Sequence, residues 1–375
     1  MTPSAPVNPH ARSWLEVDLD AVAHNVGELR RVSGEVEFCA VVKADGYGHG
    51  VAEVADATLA AGATRLAVAQ VAEGLHLREI GFSEPIIVLS EPAPDEFEAA
   101  STAGLEPTLY SPAGVQAAAR AGGLTVHLKI DTGMARVGAD PGEAVAVARQ
   151  IEGTDRLDLA SVWTHLACAD DPEHPATGQQ LDRYDQVLAE LAEAGVRVRL
   201  RHAANSAGAI AHPRSRYDMV RCGIATYGLA PSSALADAVD LRPALSWHTR
   251  VGHVKRIPAG TAVSYGHRRT VEVDTTVATI PVGYADGLRR GWWRLGAVLI
   301  GGKRRPILGV VTMDQTIVDC GDDGVAPGDD VVVLGRQGDE KVTAEEMATA
   351  LSTINYEIPT AIGARVERRY PSAAS

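Results

Sequence analysis

The feature that most constrains this chain is an alternation running through its first two-thirds. Short apolar runs recur between longer, Ala-rich stretches with helical spacing. The apolar runs fall at 38–42, 65–69, 86–89, 107–110, 124–130, 157–163, 197–202 and 218–222, and the helical stretches include 51–61, 115–121, 143–152 and 179–194. Strand followed by helix, repeated, implies parallel strands joined by helical crossovers. About eight such units in roughly 220 residues fit a (β/α)8 barrel. An open doubly wound sheet is the rival arrangement.

The texture changes near Leu241. β-branched runs separated by Gly, Pro and Asp follow at 245–251, 276–281, 297–300, 307–311, 316–319 and 330–334, and only 344–351 keeps a helical period. This predicts a mostly antiparallel β domain. The expected organisation is a barrel over 11–240 and a β domain over 241–375. An alternating run at 14–18 can pair with either, so 11–19 is left open to the β domain. A length of 375 residues accommodates both.

Charge and cysteine usage narrow the function. A net charge of −13 argues against a protein built around nucleic acid or anionic lipid. Cys39, Cys168, Cys222 and Cys320 form no CxxC pair, so neither a disulfide framework nor a zinc site is expected, and free thiols fit a reducing cytoplasm. The amino-terminal residues lack an apolar secretory core, and no run approaches the ~18 apolar residues of a membrane helix. A cytoplasmic enzyme without a metal is the expectation.

Five motifs carry the chemistry. AVVKADGYGHG, at 40–50, ends a buried strand at Lys43 and follows it with glycines. A lysine at the carboxyl end of a barrel strand sits where such enzymes keep their active sites, and its amine can form a Schiff base once its pKa is depressed. A solvated lysine before a glycine turn is the plainer alternative. HLKIDTGMARVG, at 127–138, places Lys129 inside an apolar strand, with Asp131 and Arg136 beyond it. A buried lysine must be neutral, paired or modified. Arg136 is either a surface ion-pair partner or a guanidinium aimed into the barrel mouth. His165 follows the sixth strand and Asn205-Ser206 the seventh, where Ser206 is either a helix N-cap or a phosphate ligand. MVRCGIATYG ends the eighth strand with Arg221, Gly223 and Ile224, where barrels often bind phosphate. Lys43, Arg136, His165, Ser206 and Arg221 each follow a different expected strand at the same barrel end. A Schiff-base lysine and a phosphate cradle in one barrel imply pyridoxal phosphate.

Taken together, these residues resemble the alanine racemase family. The resemblance spans about 11–370 and rests on VVKADGYGHG, HLKIDTGMARVG, HAANSAG, VRCGIATYG, AVSYGH, PVGYADG, TMDQ and INYEIP. It implies interconversion of L- and D-alanine by two bases, supplying D-alanine for peptidoglycan. Lys43 is then the cofactor-bearing lysine and one base, and Tyr265, contributed by the partner subunit of a head-to-tail homodimer, is the other. Cofactor contacts are implied for Tyr47, His165, Asn205, Ser206, Gly223, Ile224 and Tyr356. Arg221 is implied to meet the pyridine nitrogen, and His165 to link Tyr265 to Arg221. Arg136 and the Met313 amide are implied to bind the substrate carboxylate, with Asp314 nearby. Tyr284, Tyr356 and Asp171 are implied at the entrance, and Lys129 is the lysine that many members carry as a carbamate.

The sequence departs from the family in three places. ADGYGHG stands where ANAYGHG is commoner, Val310 where arginine is frequent, and Thr312 where cysteine or serine is frequent. These put the entrance in doubt rather than the reaction. In isolation Tyr265, Tyr284 and Asp286 also read as a strand aromatic, an interface anchor and a turn residue. Decarboxylases of related architecture usually set a carboxylate against the pyridine nitrogen, which Arg221 does not match. A broader racemase and a non-catalytic pyridoxal-phosphate carrier are further alternatives; the β domain with Tyr265 argues against the carrier.

Overall fold

The computed structural model describes residues 11–371, which divide into two units. One unit is Asp20–Arg242; the other joins the described residues up to Leu19 to those from Pro243 onward. The first strand, β1 (Ser13–Val17), belongs to the second unit.

The first unit carries eight strands: β2 (Glu37–Val41), β3 (Arg65–Val68), β4 (Ile86–Val88), β5 (Glu106–Leu109), β6 (Leu124–Lys129), β7 (Leu157–Trp163), β8 (Leu200–His202) and β9 (Met219–Cys222). From β2 to β8 each strand is parallel to the next, and β9 lies parallel to β2. The ring closes where the Asp218 amide donates to Arg201 O and the Arg221 amide to Ala204 O, both at 3.0 Å. Strand order therefore runs around a barrel and never reverses, as it would in a doubly wound sheet. Phe38, Leu66, Ile86, Val126, Leu128, Val162 and Val220 are fully or almost fully buried. Strands of a parallel barrel are covered on both faces, which is why their sequences read as continuous apolar runs. The crossover helices follow local rules too. Pro112–Ala121 starts with proline inside its first turn, and the Ser111 hydroxyl accepts from the Gly114 amide.

The second unit is built on sheets. Its largest follows the order Lys303–Pro306, Ala297–Ile300, Asp330–Gln337, Leu245–Arg250, β1 and Glu367–Arg369, with Glu340–Val342 on Asp330–Gln337. All pairs are antiparallel except β1 with Glu367–Arg369. The run at 14–18 thus pairs here, in register Ser13 to Thr249 through Val17 to Leu245. A three-stranded sheet joins His253–Ile257, Thr275–Ile280 and Thr316–Gly321. The run at 307–311 is not a strand. Only Ile307 bridges, to Val318, and Gly309 turns the chain at φ +81°, where a side chain would press on Ser264 and Val263. His253–Ile257 and Lys303–Pro306 escaped sequence patterning because they are short and basic, as exposed strands are. Among the described residues no helix is long and apolar enough to cross a membrane.

Candidate active site

At the carboxyl end of β2 the chain makes a left-handed helical turn. Ala44, Asp45, Gly46 and Tyr47 have φ of 53°, 53°, 60° and 54°. Three of the four are not glycine, and each L-residue in that conformation costs about 1–2 kcal/mol. The surroundings hold the turn in place. One Glu73 oxygen accepts the Ala44 amide at 2.7 Å, and the other accepts the Ala69 and Gln70 amides at 2.8 and 3.1 Å. The Asp45 carboxylate accepts the Val51 amide at the head of Val51–Ala60, so the ADG variant of the motif supplies a helix cap. Lys43 opens this turn, half-buried. Burial lowers its pKa, the Arg136 charge lowers it further, and Glu73 opposes both.

The loop after β6 is organised by Asp131. Its carboxylate accepts the amides of Gly133, Met134, Ala135 and Arg136 at 2.9–3.1 Å. Burial raises the Asp131 pKa, but these four bonds win and lower it overall. The result fixes Arg136 at the mouth, exposed, where its charge depresses Lys43, Lys129 and His165 together. Lys129 is buried, with its Nζ 4.6 Å from the centre of the Trp163 ring. Burial, then the Arg136 and Arg221 charges, push its amine down to about 8.

Arg221, on β9, is fully enclosed. It donates to His202 Nδ1 (2.7 Å), Thr164 O (2.9 Å), Ala203 O (3.1 Å) and His165 Nδ1 (3.3 Å), and lies 4.6 Å from the Trp163 ring centre. Burial pulls its pKa to about 10, which leaves it charged at neutral pH. Burial and then the neighbouring cations hold His165 well below the imidazole range. His165 is therefore neutral, with Nδ1 accepting from Arg221 and the proton on Nε2.

The helix cap expected of Ser206 is supplied by Asn205, whose Oδ1 accepts the Gly208 amide at 2.9 Å. Ser206 is released for other work: its buried hydroxyl accepts the Gly223 and Ala225 amides at 2.9 and 3.4 Å. Tyr47 packs on Tyr227 with ring centres 4.9 Å apart, and a side chain at Gly223 would collide with its hydroxyl. Ser206, Tyr47 and the amides around Ile224–Tyr227 thus come together, and only glycine at 223 lets the Tyr47 hydroxyl approach so closely. Asp171, on the loop after β7, is exposed and accepts the Glu173 amide within its own turn at 3.2 Å.

In the second unit the remaining expected residues share one stitched set of loops. The Ser264 hydroxyl, beside Tyr265, donates to Val310 O at 2.8 Å. The Tyr284 and Ala285 amides donate to Thr312 O and Met313 O, both at 3.0 Å, and a side chain at Gly283 would collide with that backbone. Asp314 pairs with Arg365 at 2.9 Å; Arg365 also reaches the buried Asp286, which accepts the Gly283 amide. Thr312, the departure from the family, ties its hydroxyl to Gln315 O at 2.7 Å. Val310 is buried. Tyr265 is 75% exposed, Met313 52% and Tyr284 43%, unusual for large apolar side chains. Tyr356 is half-buried where Glu357–Thr360 begins.

The sequence reading passed over Glu73, His202 and Trp163. Glu73 had a signal, since Gln-x-x-Glu at 70–73 is a capping-box spacing. His202 stands inside the quoted HAANSAG motif; nothing local marks it as the partner of Arg221.

Comparison with known proteins bears on both units. The model of the alanine racemase N-terminal domain matches residues 17–231, and that of the C-terminal domain matches 244–370. An alanine racemase from Symbiobacterium thermophilum is 49% identical over 364 residues, 96% of this chain and 97% of that protein. The crystal structure of alanine racemase from Bacillus anthracis with bound L-Ala-P superposes with a TM-score of 0.93 at 38% identity, covering 98% and 97% of the two chains. A histidine racemase from Leuconostoc mesenteroides superposes with a TM-score of 0.90 at 30% identity over 97% and 99%. With both domain models matched and a near-full-length relative at this identity, the chain belongs to the alanine racemase family.

Proposed function

We infer that this protein is an alanine racemase that uses pyridoxal phosphate, works as a homodimer in the cytoplasm and supplies D-alanine for peptidoglycan. The observation that carries the reading is Lys43, an amine with lowered pKa at the barrel mouth, in a chain that matches an alanine racemase over 96% of its length. The residues present fit the cofactor. A lysine that readily loses its proton suits attachment of an aldehyde, and the donor-rich space around Ser206, Tyr47, Gly223 and Ile224 suits a phosphate, with Asn205 and Tyr356 assigned beside them. When bound, pyridoxal phosphate supplies the electron sink that makes an amino acid's Cα proton removable. Arg221 would hold the pyridine nitrogen as a donor that stays protonated, which would keep that sink moderate.

The chain's own residues then divide the proton work. Lys43 Nζ exchanges the Cα proton on one face. The partner's Tyr265 exchanges it on the other. A phenol ordinarily ionises near 10, so it needs stabilisation to act as a base near neutrality. His165, neutral with its proton on Nε2, is the donor assigned to that phenol oxygen. Arg136 and the Met313 amide orient the substrate carboxylate. Asp314 supports the Met313 turn through Arg365, and Tyr284, Tyr356 and Asp171 border the entrance. Lys129 is assigned a carbamate, which turns a buried cation into an anion able to pair with Arg136. The exposure of Tyr265, Met313 and Tyr284 supports the shared-site dimer, because a second copy would cover them.

Because a histidine racemase shares the fold, the deciding test is a substrate panel. Purified, cofactor-loaded protein is given L-alanine, L-serine, L-histidine and L-lysine, and D-product is measured. Fast conversion of alanine with weak activity on the rest is the expected result. Conversion spread over long side chains would replace the reading with a broad racemase, and carbon dioxide release without D-product with a decarboxylase.

A further inference from the structure

Arg221 poses an unanswered question. It is a buried guanidinium, 3% exposed, yet its hydrogen-bond partners are two imidazoles and two backbone carbonyls. None is a carboxylate. An enclosed cation without an anion nearby is expensive. A chain of hydrogen bonds that runs down the inside of the barrel connects it to a carboxylate. His202 Nε2 is 2.8 Å from Ser161 Oγ, Ser161 Oγ is 2.6 Å from His127 Nδ1, and His127 Nε2 is 3.0 Å from Glu106 Oε2. His202, Ser161 and His127 are fully buried. Glu106 opens β5, at the opposite mouth from Lys43, and Arg65 holds it at 3.0 Å.

The direction of the first two bonds in this chain follows from Arg221. Arginine only donates, so His202 Nδ1 accepts. Burial and then the Arg221 charge hold His202 well below the imidazole range, so its single proton is on Nε2 and goes to Ser161 Oγ. The Ser161 hydroxyl is then free to donate its own proton, and His127 Nε2–H donates to the Glu106 carboxylate. With His127 Nδ1 accepting from Ser161, all four donors point from Arg221 toward Glu106. The aligned dipoles present their negative ends to the guanidinium and their positive ends to the carboxylate, and such aligned chains strengthen cooperatively. Trp163 stacks on His202 at 5.7 Å and 8°, which fixes the ring plane.

We propose that Glu106 is a positioning residue for Arg221, acting from the far mouth of the barrel through His127, Ser161 and His202. The proposal rests on and deepens the racemase reading, in which Arg221 would hold the cofactor's pyridine nitrogen.

The test uses holoenzyme labelled with 15N-histidine. Wild-type His202 and His127 both give the Nε2–H tautomer. Glu106→Leu removes acceptor and charge; Ser161→Ala cuts the chain at its centre with little change in volume; Glu106→Gln keeps an acceptor for His127. In Glu106→Leu and Ser161→Ala, the His202 Nε2–H resonance and the visible absorption of the bound cofactor shift, and kcat falls roughly tenfold with little change in KM. Glu106→Gln restores most of each effect. The proposal is overturned if Ser161→Ala and Glu106→Leu leave the His202 resonance and the cofactor spectrum unchanged, whatever happens to thermal stability. If Glu106→Leu does not fold, Ser161→Ala and Glu106→Gln carry the same comparison. A wild-type protein that takes up no pyridoxal phosphate would overturn the functional reading instead. The histidine resonances need no cofactor, so they would still decide whether the chain exists.

Discussion

At the scale of single residues, the candidate site is a cluster of cations with too few anions around it. Burial, then Arg136 and Arg221, push down the pKa of Lys129, and Asp131 pushes it up. The amine falls to about 8 from an ordinary 10.5. Carbon dioxide adds to the neutral amine, so the carbamate assigned to Lys129 has a definite pH dependence. Its occupancy rises as pH rises through about 8 and falls below that as the amine becomes protonated. Intact mass under native conditions, with and without bicarbonate, should show one added carbon dioxide that Lys129→Ala lacks. An unshifted mass at every pH and bicarbonate concentration would remove the carbamate from the account. This buried lysine was legible in the sequence, because an ionic residue inside an apolar strand is costly wherever it stands.

At the scale of elements, function sits where the chain is strained. Glu73 ties the left-handed turn Ala44–Tyr47 to the next strand–helix junction: one oxygen accepts the Ala44 amide and the other accepts the Ala69 and Gln70 amides. Glu73→Ala should lower stability by about 2–3 kcal/mol and weaken cofactor attachment, measured by urea unfolding and by titration with pyridoxal phosphate. Glu73→Gln, which keeps one acceptor oxygen, should lose less. Equal effects of the two would mean that the turn does not depend on those bonds. The barrel strands were legible because buried parallel strands are apolar throughout. The left-handed turn was not, since Ala44 and Tyr47 carry no local signal for positive φ; the Ala44 amide finds its acceptor in Glu73, 29 positions on. Likewise the reading of 307–311 as a strand saw the β-branched pattern and missed that Gly309 bends it toward Ser264. The Arg221–His202 pairing was invisible because strand neighbours in a closed barrel are set by topology.

At the scale of the whole molecule, the proposed chemistry is divided between a barrel and a β unit that carry separate halves of the residues. Lys43, Lys129, Arg136, His165, Ser206 and Arg221 belong to Asp20–Arg242; Tyr265, Tyr284, Met313, Asp314 and Tyr356 belong to the other unit. In a two-fold dimer each interface residue appears twice, so one missing Lys43 and one missing Tyr265 can be sorted onto the same site. The most direct measurement is therefore complementation. Lys43→Ala and Tyr265→Ala proteins, each inactive or nearly so, are mixed in equal amounts under conditions where subunit exchange is shown by mass spectrometry. Half the dimers are then mixed, and each has one site with both bases and one with neither. The account predicts recovery of roughly a quarter of wild-type racemase activity. No recovery despite demonstrated exchange would contradict it, and would place Lys43 and Tyr265 in separate sites.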